Sequence, residues 1–189
     1  YMPRLIREFQ DRYPGIKVQV KINTTAVVEK ELLDGKLDLA LVGGTIQSEY
    51  IIAEPLFYEK YTAICAPNHP MAGKTVLLEE FMKEPLLFRE KSSGAYEVFQ
   101  SAVNQTGLTV TPVWESISQT TLMEAVHYGL GVTILPEQMI KREIREGRLA
   151  QITFSDFSFQ NTIHIAYHHS KYLSPSIKNF ILLIKTLGF

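Results

Sequence analysis

The 189-residue sequence contains one cysteine, no excess of charge of either sign and no apolar run long enough to span a bilayer. The single Cys65 excludes an intrachain disulfide, and its neighbours in residues 61–66 indicate a buried strand rather than a reactive thiol. Lys and Arg total 19 and Asp and Glu total 20, for a net charge of -1. A nucleic-acid-binding domain usually carries a basic excess, so we do not expect these residues to bind DNA themselves. The composition fits a reducing compartment such as the cytoplasm.

The motifs of common catalytic sites are also missing. The sequence has no G-x-S-x-G elbow, no Walker loop and no complete G-x-G-x-x-G, because Gly129 and Gly131 are followed by Val, Thr and Ile. A glycine pair between a helix and a strand is more simply a helix stop. The acidic residues occur as Glu79 with Glu80 or singly, which suits an exposed helix surface better than acid–base catalysis. We therefore predict neither an enzyme nor a bound cofactor.

Histidines offer the only other candidate for metal chemistry. His164 and His168 have the spacing of a metal pair on a helix, but they lie on or just past a predicted strand. Four strand residues span roughly 13 Å, too far for one ion. His168 and His169 are predicted to point to opposite faces of that strand. No metal site is predicted.

Helix and strand patterns alternate along the chain. Residues 17–22 alternate strictly and predict a strand with one buried face, whereas residues 37–42 form the nearly continuous apolar run of a buried strand. Further strands are predicted at residues 61–66, 86–88, 113–115, 132–135, 149–154 and 162–167. Helices are predicted to begin near Pro3, Thr25, Leu78, Ser93, Ser118, Glu137 and Ser174. This order predicts an α/β fold of mostly parallel sheets flanked by helices.

Several predicted helices begin with hydroxyl side chains. The clearest are at Ser92 to Gly94 and at Ser118 to Thr120, and Thr24 with Thr25 is another. A helix N-terminus has free N–H groups and a partial positive charge, and can therefore hold an anion. Taken singly, such residues are usually only caps. Several of them converging on one place would favour a binding site.

Together, seven segments resemble the effector-binding domain of LysR-type transcriptional regulators. Their order and spacing match over nearly the whole chain: residues 2–15, 32–41, 54–56, 66–70, 84–90, 93–94 and 125–136. The resemblance implies a fold like that of type 2 periplasmic binding proteins, with a ligand cleft between two lobes. The first lobe would hold residues 1–57 and 162–189, and the second would hold residues 58–161. It also implies a cytoplasmic homodimer or tetramer. Members of the family bind DNA through an N-terminal winged helix-turn-helix, which this chain lacks. The chain also lacks the family's first strand and the loop that follows it.

The resemblance assigns a small-molecule effector site to residues at the starts of two helices and in one loop. These residues are Thr45, Ser92, Ser93, Gly94, Ser118 and Gln119. Many family members have Thr-Arg after the Ser-Gly pair, where this chain has Ala95 and Tyr96. Without that arginine, no bidentate clamp for a carboxylate exists. We therefore expect a small compact anion, or a polar metabolite held by N–H and hydroxyl groups.

Two other classes of protein share this scaffold. A secreted solute-binding protein of an ABC-type transporter is the main alternative, and the residues before Tyr1 would distinguish it. An enzyme is less favoured, since no nucleophile–base pair or metal set is visible.

Overall fold

The computed structural model describes residues 1–187, which form helices and strands in alternation. The helices are α1 (Met2–Arg12), α2 (Thr25–Leu33), α3 (Leu78–Phe81), α4 (Gly94–Asn104), α5 (Gln119–His127), α6 (Glu137–Arg145) and α7 (Pro175–Leu187). The strands are β1 (Ala40–Val42), β2 (Ile51–Cys65), β3 (Thr75–Val76), β4 (Leu87–Arg89), β5 (Trp114–Ser116), β6 (Thr133–Pro136), β7 (Ala150–Phe154) and β8 (Gln160–His168).

The chain divides into two compact units. The first unit contains Tyr1–Phe57 and the chain from Thr162 onward, and the second contains Tyr58–Asn161. The chain passes between them within β2 and again within β8. The first unit is thus assembled from two separate stretches of sequence, whereas the second is one continuous stretch. Whether the units act as lobes around a ligand cleft stays a prediction.

In the first unit, α1 and α7 pack on each other through apolar faces. Pro3 stands in the first turn of α1, where the missing N–H is harmless. Leu5 and Phe9 are buried on the inner face of α1, and Phe9 meets Phe180 of α7 edge-on with ring centroids 5.0 Å apart. Strand β1 pairs antiparallel with β8. The helical spacing of apolar residues in α1 therefore buries the face that it predicts.

The second unit is built on β2, which carries β6 and β7 as antiparallel neighbours. Strand β3 extends the sheet in parallel beside β7. Strands β4 and β5 form a separate parallel pair, which an isolated parallel bridge between Leu86 and Val132 places next to β6. Phe88 of β4 stacks on Phe99 of α4 with centroids 4.8 Å apart, in the largest cluster of buried side chains.

The α/β class is confirmed, but the prediction of mostly parallel sheets is wrong. The pairs β1–β8, β2–β6 and β2–β7 are antiparallel, and β3–β7 and β4–β5 are parallel. Alternating apolar patterns indicate that strands and helices follow one another. They do not determine which strands become neighbours, and the direction of a pair depends on that choice. The sheet that contains β7 is therefore mixed, whereas the separate β4–β5 pair is parallel.

A second correction concerns residues 17–22, which were predicted to be a strand. They form no ladder with any described residue, and Ile22 is 91% exposed. An isolated alternating segment is not a strand until a neighbour supplies its hydrogen bonds. The pattern of alternation is present, but no strand among residues 1–187 pairs with this segment.

Candidate functional site

The parallel pair β4–β5 brings two helix N-termini together in the second unit. Arg89, the last residue of β4, lies opposite Ser116, the last residue of β5. Helix α4 follows the first strand and α5 follows the second. Because the carboxyl ends of paired parallel strands meet at one edge, both helices start at that edge, the usual place for ligands in α/β proteins.

Five of the six predicted site residues lie at these two helix starts. Ser93 is the N-cap of α4, Gly94 is its first residue and Ser92 is exposed just before it. Ser118 is the N-cap of α5, and Gln119 is its first residue. The structure therefore brings together two of the candidate segments that are separate in the sequence.

The N-terminus of α4 carries a hydroxyl, that of Ser93, which no other described residue engages. Ser93 is 6% exposed, and its side chain makes no hydrogen bond within residues 1–187. Its backbone carbonyl accepts the first helical bond, from the Glu97 N–H at 3.0 Å. Among the described residues, the buried side-chain oxygens without a partner are those of Glu31 and Thr133, so the Ser93 hydroxyl keeps access to solvent. The Ser93 hydroxyl and the free N–H groups of the first turn of α4 are thus available to a ligand.

The N-terminus of α5 is different because its cap is satisfied internally. The Ser118 hydroxyl accepts a hydrogen bond from the Thr121 N–H at 3.2 Å. The Ser116 hydroxyl in turn accepts from the Ser118 N–H at 3.0 Å. The prediction that Ser118 caps a helix is confirmed. Of the two helix starts, only that of α4 therefore leaves its hydroxyl unengaged.

An ion pair that was not singled out in the sequence borders the start of α4. Arg89 binds Glu90 through two hydrogen bonds, Nε to Oε2 at 2.8 Å and a second guanidinium nitrogen to Oε1 at 3.0 Å. Burial is the largest single influence and acts to raise the pKa of Glu90, but the hydrogen bond from Arg89, a backbone hydrogen bond and the arginine charge together outweigh it, so the pKa is lowered. The arginine charge is therefore neutralised by its neighbour. Nothing in the sequence indicated that the adjacent residues Arg89 and Glu90 would form an ion pair with each other.

Thr45, the sixth predicted residue, belongs to the first unit. It is exposed in the loop that follows β1. The carboxylate of Glu29 fixes the next residues, accepting from the Gln47 N–H at 3.1 Å and the Ser48 N–H at 2.6 Å. The loop that carries Thr45 is therefore held in place, and the role of Thr45 stays a prediction. Helix α2 begins at Thr25, as predicted, and Thr24 is its N-cap.

The histidines form no metal site among the described residues. No cluster of three or more His, Cys, Asp or Glu side chains within residues 1–187 is arranged to hold an ion. The rings of His168 and His169 stack with centroids 4.7 Å apart, contrary to the prediction that they face opposite ways. The alternation of faces stops there because β8 ends at His168.

Within residues 1–187, no helix has both the length and the apolar character required to cross a bilayer.

Comparison with solved structures identifies the fold as that of effector-binding domains of LysR-type regulators. The CcmR regulatory domain of Synechocystis PCC6803, solved in complex with 2-PG, superposes with a TM-score of 0.88 at 22% identity over 98% of this chain and 90% of that one. The effector-binding domain of QuiR, solved in complex with shikimate, gives 0.86 at 19% identity over 99% and 90%. The predicted type 2 periplasmic-binding-protein-like fold is thus confirmed.

The chain belongs to the LysR substrate binding domain family, whose model matches residues 1–188. It is 25% identical over 184 residues to the HTH-type transcriptional regulator YeiE of Escherichia coli K12, and 28% identical over 182 residues to the HTH-type transcriptional activator CmpR of Synechocystis. The matches cover 95% and 96% of this chain but only 61% and 60% of those proteins. These relatives are transcriptional regulators, which confirms the prediction that the chain is not an enzyme.

Proposed function

We propose that this chain is the effector-sensing part of a LysR-type transcriptional regulator, and that the N-terminus of α4 binds a small anionic or polar metabolite. The observation that carries the proposal is Ser93, a residue only 6% exposed at the start of an eleven-residue helix, whose hydroxyl is engaged by no other described residue. The convergence of α4 and α5 on one sheet edge supports it, because a ligand there would meet the start of α5 as well.

The chemistry of this helix start favours a compact ligand. Free N–H groups and the partial positive charge of the helix attract an anion, and Ser93 can donate a hydrogen bond to it. Gly94 has no side chain to keep a ligand from the backbone. Tyr96 stands where many relatives have arginine, but it is 2% exposed and packs edge-on against Phe88 at 5.8 Å. It therefore offers no clamp for a larger carboxylate.

The regulatory part of the proposal rests on the relatives. CcmR and QuiR domains have been solved with 2-PG and shikimate, which supports a small-molecule effector for this chain too. In the full-length protein, DNA would be bound by an N-terminal helix-turn-helix domain, in the cytoplasm and as a homodimer or tetramer. An effector would act by binding one conformation more tightly than another, because only differential affinity shifts such an equilibrium. The relatives are regulators, so the transporter alternative is not retained.

Thermal denaturation with candidate ligands tests the site. The panel would hold sulfate, phosphate, 2-PG, shikimate and short carboxylates at constant ionic strength. A ligand specific for the folded state adds about 2.7 kcal/mol at a hundredfold excess over its Kd. We expect at least one saturable hit, and a loss of about fivefold or more in its affinity in Ser93→Ala because a charge-assisted hydrogen bond is removed.

Ser101→Ala is the matched control, since Ser101 is an exposed serine of the same helix. It should bind each hit as the unaltered protein does. Equal affinity of Ser93→Ala and Ser101→Ala for every hit would overturn the assignment of the site to the start of α4.

A further inference from the structure

A pocket of about 380 Å³ lies in the second unit where β2 and β7 diverge. The hydrogen-bonded ladder between the two strands runs as far as Ala63 and Ile152. Beyond that pair, the pocket is lined by Thr62 of β2 and Thr153 of β7, and by the segment that follows β7. The pocket shares no lining residue with the candidate site at the starts of α4 and α5. Its size is in the range of small-molecule sites in proteins.

Aromatic side chains form the wall of this pocket and are held in place by one another. The lining rings are Tyr61, Phe154, Phe157 and Phe159. Tyr61 meets Phe159 with centroids 4.8 Å apart, and Phe154 meets Phe157 at 5.6 Å, both edge to face. Phe99 of the buried core supports Phe157 and Phe159 from behind, at 5.9 and 5.3 Å. The wall is therefore formed without a ligand, so that little ordering is needed on binding.

The rim of the pocket carries one uncompensated positive charge. Lys60 lines the pocket and forms no ion pair within the part of the chain that the structure describes. Glu137, the only carboxylate in the lining, is paired with Lys141 at 3.1 Å. The remaining polar groups, such as Gln151 and Gln160, are uncharged. An apolar aromatic wall beside a free ammonium group favours a ligand that is apolar at one end and anionic at the other.

We propose that this pocket is a second ligand site, for a small aromatic carboxylate. The ring of the ligand would lie against Phe157 and Phe159, where edge-to-face contacts favour an aromatic ring over an aliphatic one of equal size. Its carboxylate would lie at the ammonium of Lys60. The site goes beyond the proposed effector site, and it is independent of it because the two have no residue in common.

Isothermal titration of the intact domain with benzoate tests the proposal. We expect saturable binding of benzoate and none of acetate, which has the charge without the ring. Lys60→Gln should weaken benzoate binding about fivefold, as the loss of an exposed ion pair would. Phe157→Leu, which keeps the side chain apolar, should weaken it to a similar degree, about fivefold.

Two controls separate this site from others. Lys178→Gln removes an exposed lysine of α7 that also lacks an ion pair among residues 1–187, and should leave benzoate binding unchanged. Ser93→Ala should leave it unchanged as well, whatever it does to ligands of the α4 site. The proposal is overturned if benzoate does not saturate, if Lys60→Gln and Lys178→Gln bind it equally, or if Ser93→Ala abolishes its binding.

Discussion

The Tyr167 hydroxyl of β8 donates a hydrogen bond of 2.7 Å to Oε1 of Glu54 in β2, while the Lys185 ammonium of α7 lies 3.0 Å from Oε2 of the same carboxylate. Three elements of the first unit are joined at one side chain. The hydrogen bond from Tyr167, followed by that from Lys185, lowers the pKa of Glu54 below its ordinary value.

Glu54→Gln should therefore make stability less dependent on pH. A carboxyl group whose pKa is lower in the folded state contributes stability above its ordinary pKa and loses it as the pH falls through the lowered value. Because Glu54 is partly exposed, we expect the variant to lose only about 0.5–1 kcal/mol of unfolding free energy at neutral pH. The difference should vanish in strong acid. Urea denaturation across the acid range measures it, with Glu49→Gln at an exposed position as the control.

The two serine caps should respond differently to alanine. Ser118→Ala removes the hydrogen bond to the Thr121 N–H and should lower the unfolding free energy by about 1 kcal/mol. Ser93→Ala removes no hydrogen bond within residues 1–187, and without ligand it should change stability by less than about 0.5 kcal/mol. Chemical denaturation of both variants gives the comparison. A larger loss in Ser93→Ala than in Ser118→Ala would show that Ser93 has a structural partner instead of a ligand.

Gly131 should tolerate no side chain, whereas Gly129 should tolerate one at moderate cost. A Cβ at Gly131 would collide with the Pro85 carbonyl, the same oxygen that accepts the Val132 N–H at 2.9 Å. Since the obstacle is backbone, we expect Gly131→Ala to lose about 3 kcal/mol or more. Gly129 has a φ of +75° but open space around it, so Gly129→Ala should lose only about 1–2 kcal/mol. The denaturation midpoints of the two variants test this ranking, provided that the unfolding free energy depends on denaturant concentration with the same slope in both.

Cys65 should be inert in the folded protein. Burial, with the nearby charge of Glu84 as a second cause, raises the pKa of its thiol to about 11. The side chain is 0% exposed in a central strand. Reaction with Ellman's reagent at mildly alkaline pH should then be about a hundredfold slower than in guanidinium, and limited by unfolding. Rapid labelling of the native protein would contradict both the burial and the pKa.

Local sequence patterns predicted the helices well because a helix is stabilised within its own residues and by one buried face. Helix α6 begins at Glu137 as predicted, and α1 buries one apolar face through Leu5 and Phe9. The segment at residues 17–22 and the directions of the sheets were predicted wrongly. Both depend on which strands lie side by side, and nothing within a single strand encodes that.

The candidate site was predictable only in part. Its residue types and helix caps were visible in the sequence, but the convergence of α4 and α5 depends on the pairing of β4 with β5. The contrast between Ser93 and Ser118 was not visible at all, because both look like ordinary caps until burial and partners are known. The aromatic pocket was also missed. Its rings come from β2, β7 and the segment that follows β7, and they meet only in three dimensions.

The way the chain crosses twice between its two units has a consequence for biosynthesis. The second unit is one uninterrupted stretch, so all of it has been synthesised before α7 is made. The first unit cannot finish folding until β8 and α7 have been made, since β8 pairs with β1 and α7 covers α1. During translation, the apolar face of α1 therefore stays exposed until α7 emerges, and in that interval the nascent chain is prone to aggregate and in need of a chaperone.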